Sequence, residues 1–208
     1  DAMTHAIEAY VSVLASDYTD GLALQAIKIV FKYLKRAYDN GNDREAREKM
    51  HNASCIAGMA FTNAFLGLNH SMAHKLGGDY HIPHGRANAI LLPYVVEYNA
   101  QKPTKFATFP KYEKFIADEK YARIAQYIGK GGKTVQESVQ NLVQAIRDLE
   151  REVGAPASIQ ECGIDELFFD NLQRLSENAH EDQCTTANPR YPLISEIAEL
   201  YTKAYYGK

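Results

Sequence analysis

Apolar residues return at helical spacing along almost the whole chain, and no series of alternating apolar and polar positions long enough to specify a sheet interrupts them. That periodicity restricts the chain to an all-α fold. Residues 18–38 carry the stripe Ala23, Ile27, Val30, Phe31, Leu34 and Tyr38, with Lys28, Lys32 and Lys35 elsewhere on the surface and Gly41 as the stop, so a one-faced helix is expected there. Residues 43–67 begin charged and become apolar nearly all round (Ala53, Ile56, Ala57, Gly58, Ala60, Phe61, Ala64, Phe65), the pattern of a helix in the centre of a domain. A third strong stripe, Val135, Val139, Leu142, Ile146, Leu149 and Val153, ends at Gly154 and Pro156. Further helices are expected at about 118–128, 165–179 and 193–205, and residues 1–10 already read as helix. With no initiator methionine ahead of Asp1, the sequence reads as a piece whose natural beginning lies elsewhere.

Two stretches break the pattern. Residues 101–112, with Pro103 and Pro110, read as a surface loop, and Gly129-Lys130-Gly131-Gly132-Lys133 reads as a turn. The second ends Gly132-Lys133-Thr134 like a phosphate loop. Tyr127, however, stands where the first glycine of that motif belongs, and a helix precedes it where a strand should.

A chain of 208 residues with 46% hydrophobic content can bury a substantial core. The net charge of -3 supplies no broad basic field, which argues against nucleic acid as a partner. Cys55, Cys162 and Cys184 are odd in number and form no CxxC pair, so neither a disulfide framework nor a thiolate zinc site is suggested, and a reducing cytoplasm is the simplest home. No run of 18 apolar residues suggests a membrane span.

The chemistry concentrates in the histidines. Of seven, four fall between His70 and His84 in the run His70-Ser71-Met72-Ala73-His74-Lys75-Leu76-Gly77-Gly78-Asp79-Tyr80-His81-Ile82-Pro83-His84. His70 and His74 stand four apart on an expected helix and face the same way. Gly77 and Gly78 are expected to end that helix, and Pro83 obstructs helical hydrogen bonding, so His84 must come back by a turn. Asp1 and His5 also stand four apart. Carboxylate plus imidazole ligands without thiolate form a nitrogen and oxygen set suited to Fe(II), Zn(II), Mn(II) or Co(II). The plainer reading makes Asp1 and His5 a helix-surface pair and His70 and His74 histidines satisfied by hydrogen bonds. Spacing alone leaves open which histidines bind and which move protons. His51, His81 and His180 read as structural or solvent-facing.

Three long segments, Asp1-Ala2-Met3-Thr4-His5-Ala6-Ile7-Glu8, Gly67-Leu68-Asn69-His70-Ser71-Met72-Ala73-His74-Lys75-Leu76-Gly77-Gly78 and Pro83-His84-Gly85-Arg86-Ala87-Asn88-Ala89-Ile90-Leu91-Leu92-Pro93, resemble the signatures of the iron-containing alcohol dehydrogenases. The stretch from Asp182 to Ile194 and the insertion around Phe109-Pro110-Lys111-Tyr112 are similar, more narrowly, to the alcohol dehydrogenase half of bifunctional aldehyde-alcohol dehydrogenases. The resemblance covers the whole chain and implies the helical C-terminal domain of such an enzyme, residues 1–208. It implies a metal, Fe(2+) with Zn(2+) possible in purified protein, held by Asp1, His5, His70 and His84. It implies His74 as a proton relay near the substrate, and Phe61 and Cys184 as lining of the substrate pocket. NAD(H) would be a partner through an N-terminal nucleotide-binding half, a small alcohol or aldehyde the substrate, and a homo-oligomer or filament the assembly.

No GxGxxG or comparable glycine-rich loop after a strand occurs in the chain, so most of the cofactor site is expected to lie elsewhere. Two other function classes compete. The all-α metal phosphohydrolases also use His and Asp ligands, but they require an adjacent His-Asp pair, and none is present. An assembly module of a filament, inactive as an isolated piece, is the non-enzymatic alternative.

Overall fold

The structure is a computed structural model that describes residues 1–103 and 114–207, and every described element is helical. The elements are α1 (Ala2–Val11), α2 (Asp17–Asp39), α3 (Arg44–Ala64), α4 (Leu68–Tyr80), α5 (His84–Asn99), α6 (Ala117–Tyr127), α7 (Val135–Glu152), α8 (Leu172–His180) and α9 (Ile194–Tyr206), with short 3-10 turns at Gln160–Cys162, Glu166–Asn171 and Gln183–Ala187. The expected all-α class is what forms. Most of the loop expected at 101–112, with the insertion around Phe109 to Tyr112, lies outside the described residues.

Helix boundaries follow local chemistry. Ser16 and Thr19 form a reciprocal capping box at the start of α2, and the side chains of Asp43 and Thr134 cap α3 and α7. α7 buries Val139, Leu142, Val143, Ile146 and Leu149. Each such side chain stabilises the fold by about 1.5–3 kcal/mol through the apolar surface it removes from water. Gly154 sits at φ +65 just beyond α7, where a side chain would be strained.

Two apolar cores share one wall. The first is built from α1, α2, α3, α6 and α7; the second from α4, α5, α8 and α9. α5 serves both, sending Leu92 and Val96 into the first and Ile90, Leu91, Tyr94 and Val95 into the second. A buried polar clamp holds the seam. Asn99 and Asn188 exchange side-chain amide bonds of 3.0 and 2.7 Å, and Asn188 Oδ1 also accepts from the backbone N–H of Leu68 at the start of α4. Arg190 lies 3.9 Å above the Tyr98 ring and pairs with Glu196, which fixes the segment before α9 against α5.

Four expectations change on contact with tertiary structure. α3 is not buried all round: Ala46, Ala53, Ala57, Ala60 and Ala64 face the core, whereas Cys55 and Met59 are exposed and Phe61 is half-buried. Its methyl-sized face lets α1 and α2 approach closely. Gly77 and Gly78 do not end α4, which runs on to Tyr80 and stops at His81 in the left-handed conformation. Two glycines cost about 1 kcal/mol each in a helix, less than is gained by burying Leu76 and setting the Tyr80 ring 5.4 Å from Phe168. The expected helix at 165–179 is a 3-10 turn followed by α8. Tyr38 leaves the α2 stripe and is 60% exposed.

Candidate metal centre

The seam brings three helix ends together. Asp1 is the N-cap of α1, yet its carboxylate makes no bond to its own helix, although an aspartate there ordinarily accepts from the second or third amide. It turns instead toward α5, where Asn88 Nδ2 donates to Oδ1 at 2.9 Å. His5 follows one turn later on the same face, its Nδ1 3.6 Å from Asp1 Oδ2. His70 enters from the first turn of α4 and His84 from the first residue of α5. Their Nε2 atoms lie 3.5 and 3.4 Å from Asp1 Oδ1. One ligand atom from each of Asp1, His5, His70 and His84 falls within 4.8 Å of the others. Residues separated by up to 83 positions in sequence therefore converge at one point.

The protonation states suit a cation. Burial pushes His5 down to about 3, with the neighbouring His70 adding to the effect. Burial also lowers His84, assisted by His70 and His74. Both imidazoles are thus neutral near pH 7 and offer lone pairs. Asn88 Nδ2 lies 3.2 Å from His70 Nε2 and 3.1 Å from His84 Nε2, so an amide that can only donate faces both atoms, which mark them as acceptors. A carboxylate oxygen and three imidazole nitrogens at one point match a divalent transition ion.

Beneath this cluster lies Glu8, which the motif reading quoted without assigning a role. It is 3% exposed; Oε2 bonds His70 Nδ1, and Oε1 accepts from the backbone N–H of Asn69 at 2.7 Å. Asn69 in turn donates through Nδ2 to Asn88 Oδ1 at 2.9 Å. The spacing carried a signal: Asp1, His5 and Glu8 stand at i, i+4 and i+7 and share one face of α1.

His74 lies one turn along α4 from His70 and is not among the four converging ligands. Its Nδ1 meets Asp182 Oδ2 at 3.0 Å, and its ring stacks over His84 with centroids 5.7 Å apart. Lys75 also reaches Asp182 Oδ2, at 2.8 Å. Burial opposes ionisation of Asp182, but the bonds from Lys75, the Cys184 N–H and His74 outweigh it and hold the carboxyl down at about 2. Cys184 is buried beside it; burial first, then the Asp182 and Glu8 charges, push its thiol up to about 12. Such a thiol stays protonated and is no nucleophile. Phe61 lies flat against His5, ring centroids 4.4 Å apart. His74, Asp182 and Cys184 also bring potential ligand atoms within 4.8 Å of one another, a second grouping of a carboxylate, an imidazole and a thiol. His51 and His81 are exposed, and His180 packs its ring edge-on to Tyr191.

The helical seam and its carboxylate-imidazole cluster define the domain class, and the profile of the Fe-containing alcohol dehydrogenase family, C-terminal, matches residues 1–205. The chain belongs to that family. It is 52% identical over 208 residues to the aldehyde-alcohol dehydrogenase of Streptococcus pneumoniae serotype 4, all of this chain aligning with 23% of that protein. It is 50% identical over 213 aligned residues to the bifunctional aldehyde-alcohol dehydrogenase of Escherichia coli K12, again across its whole length and 24% of the relative. The crystal structure of a 1,3-propanediol oxidoreductase superposes with a TM-score of 0.87 at 38% identity, covering 99% of this chain and 50% of that one. The chain thus spans about a quarter of the length of the two aldehyde-alcohol dehydrogenases.

Proposed function

We propose that this chain is the metal-binding catalytic domain of an NAD-linked alcohol dehydrogenase that interconverts a short-chain aldehyde and a primary alcohol, with acetaldehyde and ethanol the expected pair. The observation that carries the reading is the convergence of Asp1, His5, His70 and His84 within 4.8 Å from three separate helices. In this reading those four residues hold one divalent ion, Fe(II) in the native protein, with Zn(II) able to take its place because it binds such ligands more tightly. When bound, the ion supplies the positive charge that polarises an alcohol or carbonyl oxygen.

The chain's own residues do the rest of the work proposed for this domain. His74 donates through Nδ1 to Asp182, which leaves Nε2 to accept the hydroxyl proton in oxidation and return it in reduction. Asp182 and Lys75 hold that ring in place. The Phe61 ring and the protonated Cys184 thiol wall the substrate pocket. In oxidation His74 would take the hydroxyl proton, while a bound nicotinamide would supply the hydride acceptor. The nicotinamide is brought by a nucleotide-binding half of a longer polypeptide, because holding it against the substrate accounts for a large part of the rate.

The names of the relatives support the reaction class, since they act on aldehydes, alcohols and a diol. None of the helices is long and apolar enough to cross a membrane among the described residues, and a cytoplasmic homo-oligomer, or a filament, is proposed for the parent enzyme. The test compares this chain with the polypeptide extended at its N-terminus, supplying metal to both and measuring NADH binding by fluorescence and ethanol oxidation. Metal binding by both forms with turnover only in the longer one is expected. Equal cofactor affinity and turnover in the two would show that the nucleotide site is misplaced.

A further inference from the structure

The start of α4 has an unusual cap. Its N-cap is Gly67, which has no side chain to offer the first amides of the helix. Two distant residues supply the acceptors instead: Asn188 Oδ1 takes the Leu68 N–H at 3.1 Å, and Glu8 Oε1 takes the Asn69 N–H at 2.7 Å and approaches that of His70 at 3.4 Å. A Cβ at position 67 would lie 2.8 Å from Asn188 Oδ1 and 3.0 Å from Glu8 Oε1, so any larger residue would displace the two capping side chains. The buried Glu8 carboxylate is therefore stabilised by the positive end of α4.

Capping engages only one of its oxygens. The other meets His70 Nδ1, and among the described residues His70 is the only ion-pair partner of Glu8. A carboxylate is acceptor-only, so Nδ1 carries the proton and Nε2 is left bare. Nε2 is the atom that faces Asp1 Oδ1 and the Asn88 amide. We infer that Glu8 is a positioning residue of the metal centre, fixing the tautomer and orientation of His70 from α1 while it caps the helix that carries His70. The inference rests on the metal-site reading above and adds a residue to it. Removing an outer carboxylate of this kind ordinarily weakens metal affinity by about 10–100-fold.

Glu8→Gln separates the two roles. The amide oxygen keeps accepting from Asn69, while the amide NH2 faces His70 Nδ1 and donates to it, so the proton moves to Nε2. A purely capping role predicts a near-normal variant; a positioning role predicts a protein that folds but has lost metal. The experiment measures Zn2+ affinity by chelator competition for the wild-type and Glu8→Gln chains, and reads the His70 tautomer from imidazole 15N shifts of the metal-free wild type. Expected are a 10–100-fold weaker Zn2+ affinity in the variant and an Nδ1-protonated His70 in the wild type. Wild-type Zn2+ affinity in Glu8→Gln would overturn the inference alone, whereas no Zn2+ binding by the wild-type chain would overturn the metal-site reading and the inference with it. Should the variant fail to fold, an Nε2-protonated His70 in the wild type would still overturn the role assigned to Glu8.

Discussion

Asp182 Oδ2 accepts from both His74 Nδ1, at 3.0 Å, and Lys75 Nζ, at 2.8 Å, and so ties the segment before α9 to the proton-handling face of α4. The pairing has a pH signature. An unfolded aspartate titrates near 3.9, whereas Asp182 titrates at about 2 in the fold. Its carboxylate thus contributes stability that is complete above pH ~4 and disappears as the pH falls through about 2.

Asp182→Asn should cost about 1–2 kcal/mol at pH 7, the ~1.4 kcal/mol per pKa unit reduced by solvent screening of this partly exposed group. Urea unfolding at a series of pH values tests this. The wild-type and variant curves should converge as the pH approaches 2; a constant gap across the range would show that the charge is not what Asp182 contributes.

His74 and His70 are one helical turn apart, yet only His70 belongs to the four-ligand cluster. His74→Ala should keep bound metal while lowering turnover of the extended enzyme by about 10²–10⁴-fold and altering its pH profile. His70→Ala and His84→Ala should lose metal and activity together. Elemental analysis of the three variants decides it, and equal metal loss in His74→Ala and His70→Ala would remove the distinction between relay and ligand.

Glu150 has a buried Oε1 without a hydrogen-bond partner among the described residues and lies with Asp1, Arg86 and Leu149 around a cavity of about 200 Å³. Burial pushes its carboxyl up to about 8, against the pull of Arg147. The folded state therefore holds a proton that the unfolded chain releases near pH 4.3, and stability falls as the pH rises from there through about 8. Glu150→Gln should raise Tm by a few degrees at pH 8 and leave it nearly unchanged at pH 4, as followed by circular dichroism. Equal Tm values at both pH values would contradict a neutral Glu150.

The alanine face of α3 supplies a packing test. Ala60 is fully buried, one residue before the Phe61 ring that lies against His5. Ala60→Leu should destabilise the fold by about 1–3 kcal/mol through overpacking. It should also weaken Zn2+ binding, because α3 packs against α1, which carries Asp1 and His5. Unchanged Zn2+ affinity in a destabilised variant would show that α1 moves independently of α3.

The sequence carried much of this arrangement because its cues were local. The α7 stripe, the turn forced by Pro83 and the His70/His74 spacing each depend on neighbours in the chain, and Gly154 ends its helix with the positive φ that glycine tolerates. What was illegible depends on contacts across the fold. Gly77 and Gly78 look like a stop until Leu76 and Tyr80 find their packing partners. The exposed flank of α3 looks like core because apolar periodicity does not say which side has a neighbour. Glu8 looked like one more charged residue, though its place on the face of Asp1 and His5 was a usable sign, and only the approach of α1 to the uncapped Gly67 reveals what it binds.

An anomalous difference map from crystals of the chain grown with Zn2+ tests the central claim most directly, because the described residues offer two groups of ligands. The expected result is one peak enclosed by Asp1, His5, His70 and His84, with ligand distances of about 2.0–2.2 Å, and His74 outside the coordination sphere. A peak held instead by His74, Asp182 and Cys184, with none among the first four residues, would contradict the account.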